Sequence, residues 1–140
     1  MAKILVADDS LAELQIIQQA LQASGHSVVT VMDGEAAEAK AKSEKFDLII
    51  LDVVMPKKNG FQVCREIKTY EQTKNIPVIM VTSKDQESDK FWGMKQGADE
   101  YLTKPFKPED LLKNLCNIFL RHCYYCIIYI ARNFTDVSED

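Results

Sequence analysis

The sequence is short of several residue types whose presence would mark a class. Its four cysteines, Cys64, Cys116, Cys123 and Cys126, are few and unevenly placed. They read as thiols of a reduced cytosolic protein rather than as a disulfide framework. No cluster of lysine and arginine occurs, and 21 acidic against 17 basic residues give a formal charge of −4. A general nucleic-acid binder, which neutralises phosphates with grouped cations, is therefore not expected. The longest apolar stretch, residues 123–131, is about half of the ~20 residues a membrane-spanning helix needs. The first six residues, Met1 to Val6, run straight into a strand-like stretch and do not read as a signal peptide. What is present is 140 residues of which 46% are apolar. That suits one globular domain burying roughly two thirds of its unfolded surface, without a metal or disulfide staple. It is too apolar for a disordered chain.

Short aliphatic runs recur at residues 4–6, 28–31, 48–51 and 78–81, with a weaker fifth candidate at residues 100–103. They lack the alternation of a half-exposed sheet, so strands covered on both faces are expected. Helical spacing fills the intervals. Leu11, Leu14, Ile17 (or Gln18) and Leu21 mark one face of a helix stopped by Ser24-Gly25, and residues 34–45 form a second. Residues 60–70 follow, with Phe61, Cys64 and Ile67 on one side, and a fourth helix runs over residues 88–96 to Gly97. The last begins at Pro108 and carries Leu111, Leu112, Leu115 and Phe119 on its apolar face. The order βαβαβαβαβα predicts an α/β fold in which helices cover both faces of a parallel sheet. In such sheets ligands bind beyond the carboxyl ends of the strands.

Those ends carry Asp8-Asp9-Ser10, Asp52, Thr82-Ser83 and Lys104-Pro105. Three aspartates brought within a few ångströms would raise one another's pKa values unless a cation joined them. Oxygen ligands on loops suit Mg²⁺, which keeps several waters and favours a phosphate partner. Lys104 and a hydroxyl such as that of Thr82 supply what a transferring phosphoryl group needs, since its charge is spread over oxygens that must be paired. Asp52 stands alone at the end of the central apolar strand and is the expected nucleophile, forming an acyl phosphate, with Asp8 and Asp9 holding the metal. No glycine-rich phosphate loop follows the first strand, which disfavours nucleotide and flavin binding.

Taken together, Asp8-Asp9-Ser10, Leu51-Asp52-Val53-Val54-Met55-Pro56 with Asn59-Gly60, Val81-Thr82-Ser83 and residues 97–106, from Gly97-Ala98-Asp99 to Lys104-Pro105-Phe106, resemble the receiver domains of two-component response regulators. The resemblance covers about residues 2–121. It implies a flavodoxin-like, doubly wound (βα)₅ fold with a five-stranded parallel sheet, and a phosphoacceptor, Asp52, served by a histidine kinase of CheA-like type. It implies that Asp9, Asp52 and the backbone carbonyl of Val54 ligate Mg²⁺, with Asp8 acting mainly through a bound water. Lys104 would pair with Asp52 or its phosphate, and Thr82 would hydrogen-bond to a phosphate oxygen. Tyr101 matches the switch aromatic, although an aromatic in a strand also fits plain packing. The Lys104–Pro105 bond matches a position that is usually cis in the family. Output would be phosphorylation-dependent binding of a downstream protein through the fourth helix, fifth strand and fifth helix, with neither nucleic acid nor membrane insertion involved.

Residues 82–97 more narrowly resemble single-domain regulators of type IV pilus chemotaxis-like systems, the PilH and PixH type, which act in twitching motility or phototaxis. Val54, two residues past Asp52, offers no polar group to orient an attacking water, and Lys84 is cationic two residues past Thr82. A slowly hydrolysing aspartyl phosphate is expected. Two other functions compete: a phosphohydrolase with an aspartyl nucleophile, and a phosphate sink or scaffold. The hydrolases of this kind place Asp-x-Asp after the first strand, where this chain has adjacent Asp8-Asp9, and their substrate-capping insertion is missing.

Trp92 and Met94 fit a partner surface or core packing equally. His122 and Cys123 to Cys126 lack a full zinc ligand set and read as buried thiols. His26 reads as a surface turn residue. Residues 1–121 make the expected receiver domain, and residues 122–140 a C-terminal extension with an acidic end. The apolar residues 123–131 would extend the last helix or form a β-arm, and would pack on their own domain or mediate self-association.

Overall fold

Each of the five strand candidates at residues 4–6, 28–31, 48–51, 78–81 and 100–103 becomes a strand. The computed structural model of the chain describes residues 2–83 and 94–122, Arg121 and His122 by backbone alone. The strands are β1 (Lys3–Ala7), β2 (Ser27–Val31), β3 (Leu48–Asp52), β4 (Val78–Thr82) and β5 (Glu100–Thr103). They pair in parallel in the order β2-β1-β3-β4-β5, the doubly wound order expected. Strand order reverses between β1 and β3, which puts the crevice for chemistry at their carboxyl ends. Helices α1 (Leu11–Ala23), α2 (Gly34–Ser43), α3 (Gly60–Thr69) and a last helix (Pro108–His122) connect and cover the sheet. Met94 and Lys95 are helical, as expected of the end of the fourth predicted helix. Residues 88–93 of that helix, with Trp92, and Lys84 before it lie outside the described residues, and so do the Cys123 and Cys126 thiols and the extension at 123–140.

Alternate residues of the central strands feed two cores, one on each face. Leu5, Ile49, Leu51, Val78 and Met80 pack with Ala37, Ala41, Val63, Cys64 and Ile67 of α2 and α3. Ile4, Val6, Leu48, Ile50, Ile79 and Val81 pack with Leu14, Ile17 and Leu21 of α1 and with Leu111, Leu115 and Ile118 of the last helix. Burial on both faces holds for β1, β3 and β4, whereas the edge strands β2 and β5 are half-buried. Burial pushes the Cys64 thiol up to about 12, which makes it an inert core group.

Two helix faces differ from the expected ones, at Leu11 and at Phe61. Leu11 is 59% exposed because it opens α1 at the rim of the sheet. Of the alternatives Ile17 and Gln18, Ile17 is the one that faces the core, as expected. In α3, Val63 is buried beside Cys64 and Ile67, while Phe61 is only partly covered. His26 is more than a turn residue, since it is half-buried and its Nδ1 accepts from the Ala2 N–H at 3.1 Å. Burial, then the nearby N-terminal charge, holds its pKa below the usual value. Among the described residues no helix is long and apolar enough to cross a membrane.

Candidate functional site

Strand register brings the expected side chains to one edge. Ala7 pairs with Leu51 and Asp52 with Val81, so Asp8, one step beyond Ala7, comes level with Asp52. Thr82 pairs with Thr103, and the Lys104 N–H donates to the Thr82 carbonyl at 2.6 Å, carrying the ladder one residue past β5. The Lys104–Pro105 peptide is cis, as expected. Gly60 opens α3 directly behind Asp52: a Cβ there would stand 2.2 Å from the Asp52 carbonyl oxygen. Its N–H donates to the Val53 carbonyl at 2.8 Å.

Asp8, Asp52 and Thr82 are buried and Asp9 is exposed. Asp8, Asp9 and Asp52 each offer a carboxylate oxygen, and these oxygens lie within 4.8 Å of one another. Three hard anionic oxygens, one of them open to solvent, fit a small divalent cation that retains some of its waters. The Lys104 ammonium lies 2.8 Å from Asp8 Oδ2 and 3.6 Å from Asp52 Oδ2, and it also contacts Glu13. Burial works against that ammonium. Its hydrogen bonds to Asp8 and Glu13 and the charge of Asp52 outweigh the penalty, and its pKa is raised.

Asp52 is pushed up to about 6, first by burial and then by the charges of Asp8 and Asp9, against the pull of Lys104 and a backbone hydrogen bond at Val53. A carboxylate so crowded, with a lysine at hand, is arranged to receive positive charge or a group that brings it. Val54 lies at the rim, 52% exposed. Tyr101 is half-buried and packs against the core on the α2–α3 side.

A model of the response regulator receiver domain matches residues 4–116. The chain belongs to that family. This receiver domain is 47% identical over 115 residues to PilH of Pseudomonas aeruginosa, covering 82% of the chain and 95% of PilH. Among solved structures it resembles the chemotaxis response regulator CheY4 of Vibrio cholerae. There the identity is 41% and the TM-score 0.80, over 84% of this chain and 98% of that one. It also resembles the receiver domain of the sensor histidine kinase PA1611 of Pseudomonas aeruginosa, solved with magnesium coordinated in its active-site cleft. That likeness has 29% identity and a TM-score of 0.78, over 83% of this chain and 95% of that one. The receiver spans less than half the length of several transcriptional regulators that it also matches.

Each residue expected at the site lies on this edge except Tyr101, which sits on the edge strand beside it. The sequence reasoning missed Glu13. Its signal was the Ser10-x-x-Glu13 pattern, which reads as a helix cap and says nothing of a lysine 91 positions away.

Proposed function

We propose that Asp52 accepts a phosphoryl group from a phosphohistidine of a sensor kinase, and that the phosphorylated domain signals by binding another protein. The observation that carries this is the set of three carboxylates within 4.8 Å, with a half-buried lysine 3.6 Å from Asp52, at the carboxyl edge of the sheet. An Asp52 carboxylate oxygen attacks phosphorus, the new P–O bond forms as the P–N bond breaks, and the imidazole leaves with its electron pair. Lys104 and Thr82 pair with the phosphoryl oxygens, and Lys104 balances the charge gained. Asp8, Asp9, Asp52 and the Val54 carbonyl would hold Mg²⁺, which when bound neutralises the crowded carboxylates and pairs a phosphoryl oxygen. Tyr101 turns inward as Thr82 is drawn to the phosphate, which alters the surface around β5.

The likeness to PilH supports a place in a type IV pilus chemotaxis-like system of the cytoplasm, with a CheA-like kinase as donor. No observation favours a turnover enzyme over a regulator. Incubation with acetyl phosphate and Mg²⁺ should give a single phosphoryl adduct that Asp52→Asn abolishes. An adduct that survives this substitution, or steady hydrolysis of a phosphate ester, would overturn the assignment.

A further inference from the structure

Helix α3 closes a reciprocal cap: Asn59 Oδ1 accepts from the Gln62 N–H, and Gln62 Oε1 accepts from the Asn59 N–H. Helix α1 starts with the same spacing, Ser10 and Glu13, but makes only half of it. Ser10 Oγ accepts from the Glu13 N–H at 3.4 Å. The other half is blocked, because the Ser10 N–H already donates to Asp8 Oδ1 at 2.9 Å. The glutamate released from capping turns instead to the Lys104 ammonium. That ammonium is thus held on the α1 side by Asp8 and Glu13, while Asp52 Oδ2 at 3.6 Å is beyond hydrogen-bond range.

Resting on the phosphoacceptor reading of Asp52, we infer that Glu13 is a positioning residue that parks Lys104 away from Asp52 until a phosphoryl group draws the lysine across. Of the two carboxylates that hold the lysine, Asp8 is buried and Glu13 is 40% exposed. A screened, solvent-facing pair is the weaker of the two and the one to break. Glu13 lies outside the carboxylate cluster suited to a cation, so its effect runs through the lysine. It competes with the phosphoryl group for Lys104 and so lowers the affinity of the site for that group. It also ties the first turn of α1 to the state of Asp52.

The test is calorimetric titration of beryllofluoride, a non-covalent phosphoryl analogue, into the full chain at fixed Mg²⁺. Wild type, Glu13→Gln, Glu13→Asp, Lys104→Ala and the Glu13→Gln/Lys104→Ala pair are compared. Glu13→Gln should bind about two- to fivefold tighter, the scale of one half-exposed ion pair. Glu13→Asp keeps the charge but shortens the reach, and should behave like Glu13→Gln. In the Lys104→Ala background the gain from Glu13→Gln should vanish. A gain that persists there, or a Glu13→Asp variant that binds like wild type, would mean simple charge repulsion and would overturn the inference. So would a Glu13→Gln variant that binds no tighter. A folded wild type that binds no beryllofluoride at all would instead remove the phosphoacceptor reading, and the inference with it.

Discussion

On the proposed reading of Asp52 as phosphoacceptor, Val54 is expected to govern how long the phosphoryl group lasts. It stands two residues beyond Asp52, 52% exposed, and presents only methyl groups to solvent at the rim. Hydrolysis needs a water held in line with phosphorus, and a side chain without a donor or acceptor cannot hold one. Val54→Asn supplies both, and decay of the aspartyl phosphate should quicken by about tenfold or less, an orienting effect smaller than full acid–base catalysis. Decay followed by intact mass after removal of acetyl phosphate checks this, and an unchanged half-life refutes it. At this scale Asp8, Asp9, Asp52, Thr82 and Lys104 were legible because each ends or follows a strand, and the parallel fold sends strand ends to one edge. Glu13 was not legible. Its contact with Lys104 depends on the diversion of one backbone N–H to Asp8, which spacing does not encode.

The elements are held to the site by close backbone approaches at two glycines. A Cβ on Gly60 would stand 2.2 Å from the Asp52 carbonyl oxygen, and one on Gly34 would stand 2.0 Å from the Lys58 carbonyl oxygen. Neither neighbour is a flexible side-chain end, so the backbone itself must move. Gly25 has open space around it but φ of +89°, so alanine there meets only the conformational cost. Urea unfolding should therefore rank the alanine variants. Gly34→Ala and Gly60→Ala each lose about 2–3 kcal/mol, and Gly25→Ala about 1 kcal/mol. Of the first two, Gly60→Ala alone should also slow labelling by acetyl phosphate, because it displaces Asp52. Equal losses at all three positions would contradict the geometry. Among the described residues, element types and order were readable from short aliphatic runs and helical spacing. Less readable were edge effects: β2 is as rich in β-branched residues as the central strands yet is half-buried, since sheet order and not sequence decides which strands lie outside.

For the molecule as a whole, the site is a cost to stability that a ligand can offset. Asp52, with an ordinary value of 3.8, is pushed up to about 6 by burial and by its acidic neighbours. The folded protein therefore binds this proton more tightly than the unfolded chain does. The corresponding stability is fully present below pH 3.8 and is lost as pH rises through about 6. At pH 7.5 the folded state carries an ionised, crowded carboxylate that costs on the order of 1–3 kcal/mol. Asp52→Asn removes that charge while Asp8 and Glu13 still hold Lys104. In EDTA the variant should thus be more stable than wild type at pH 7.5, with the difference shrinking towards pH 4. Mg²⁺ should narrow the gap at pH 7.5 from the other side, since a cation that binds only the folded carboxylate cluster stabilises it by mass action. Urea midpoints for both proteins across this pH range, with and without Mg²⁺, decide the matter. If the asparagine variant is the less stable protein at pH 7.5 in EDTA, then Lys104 gives Asp52 more than its burial and acidic neighbours take away, and the crowded carboxylates do not hold the folded state under tension.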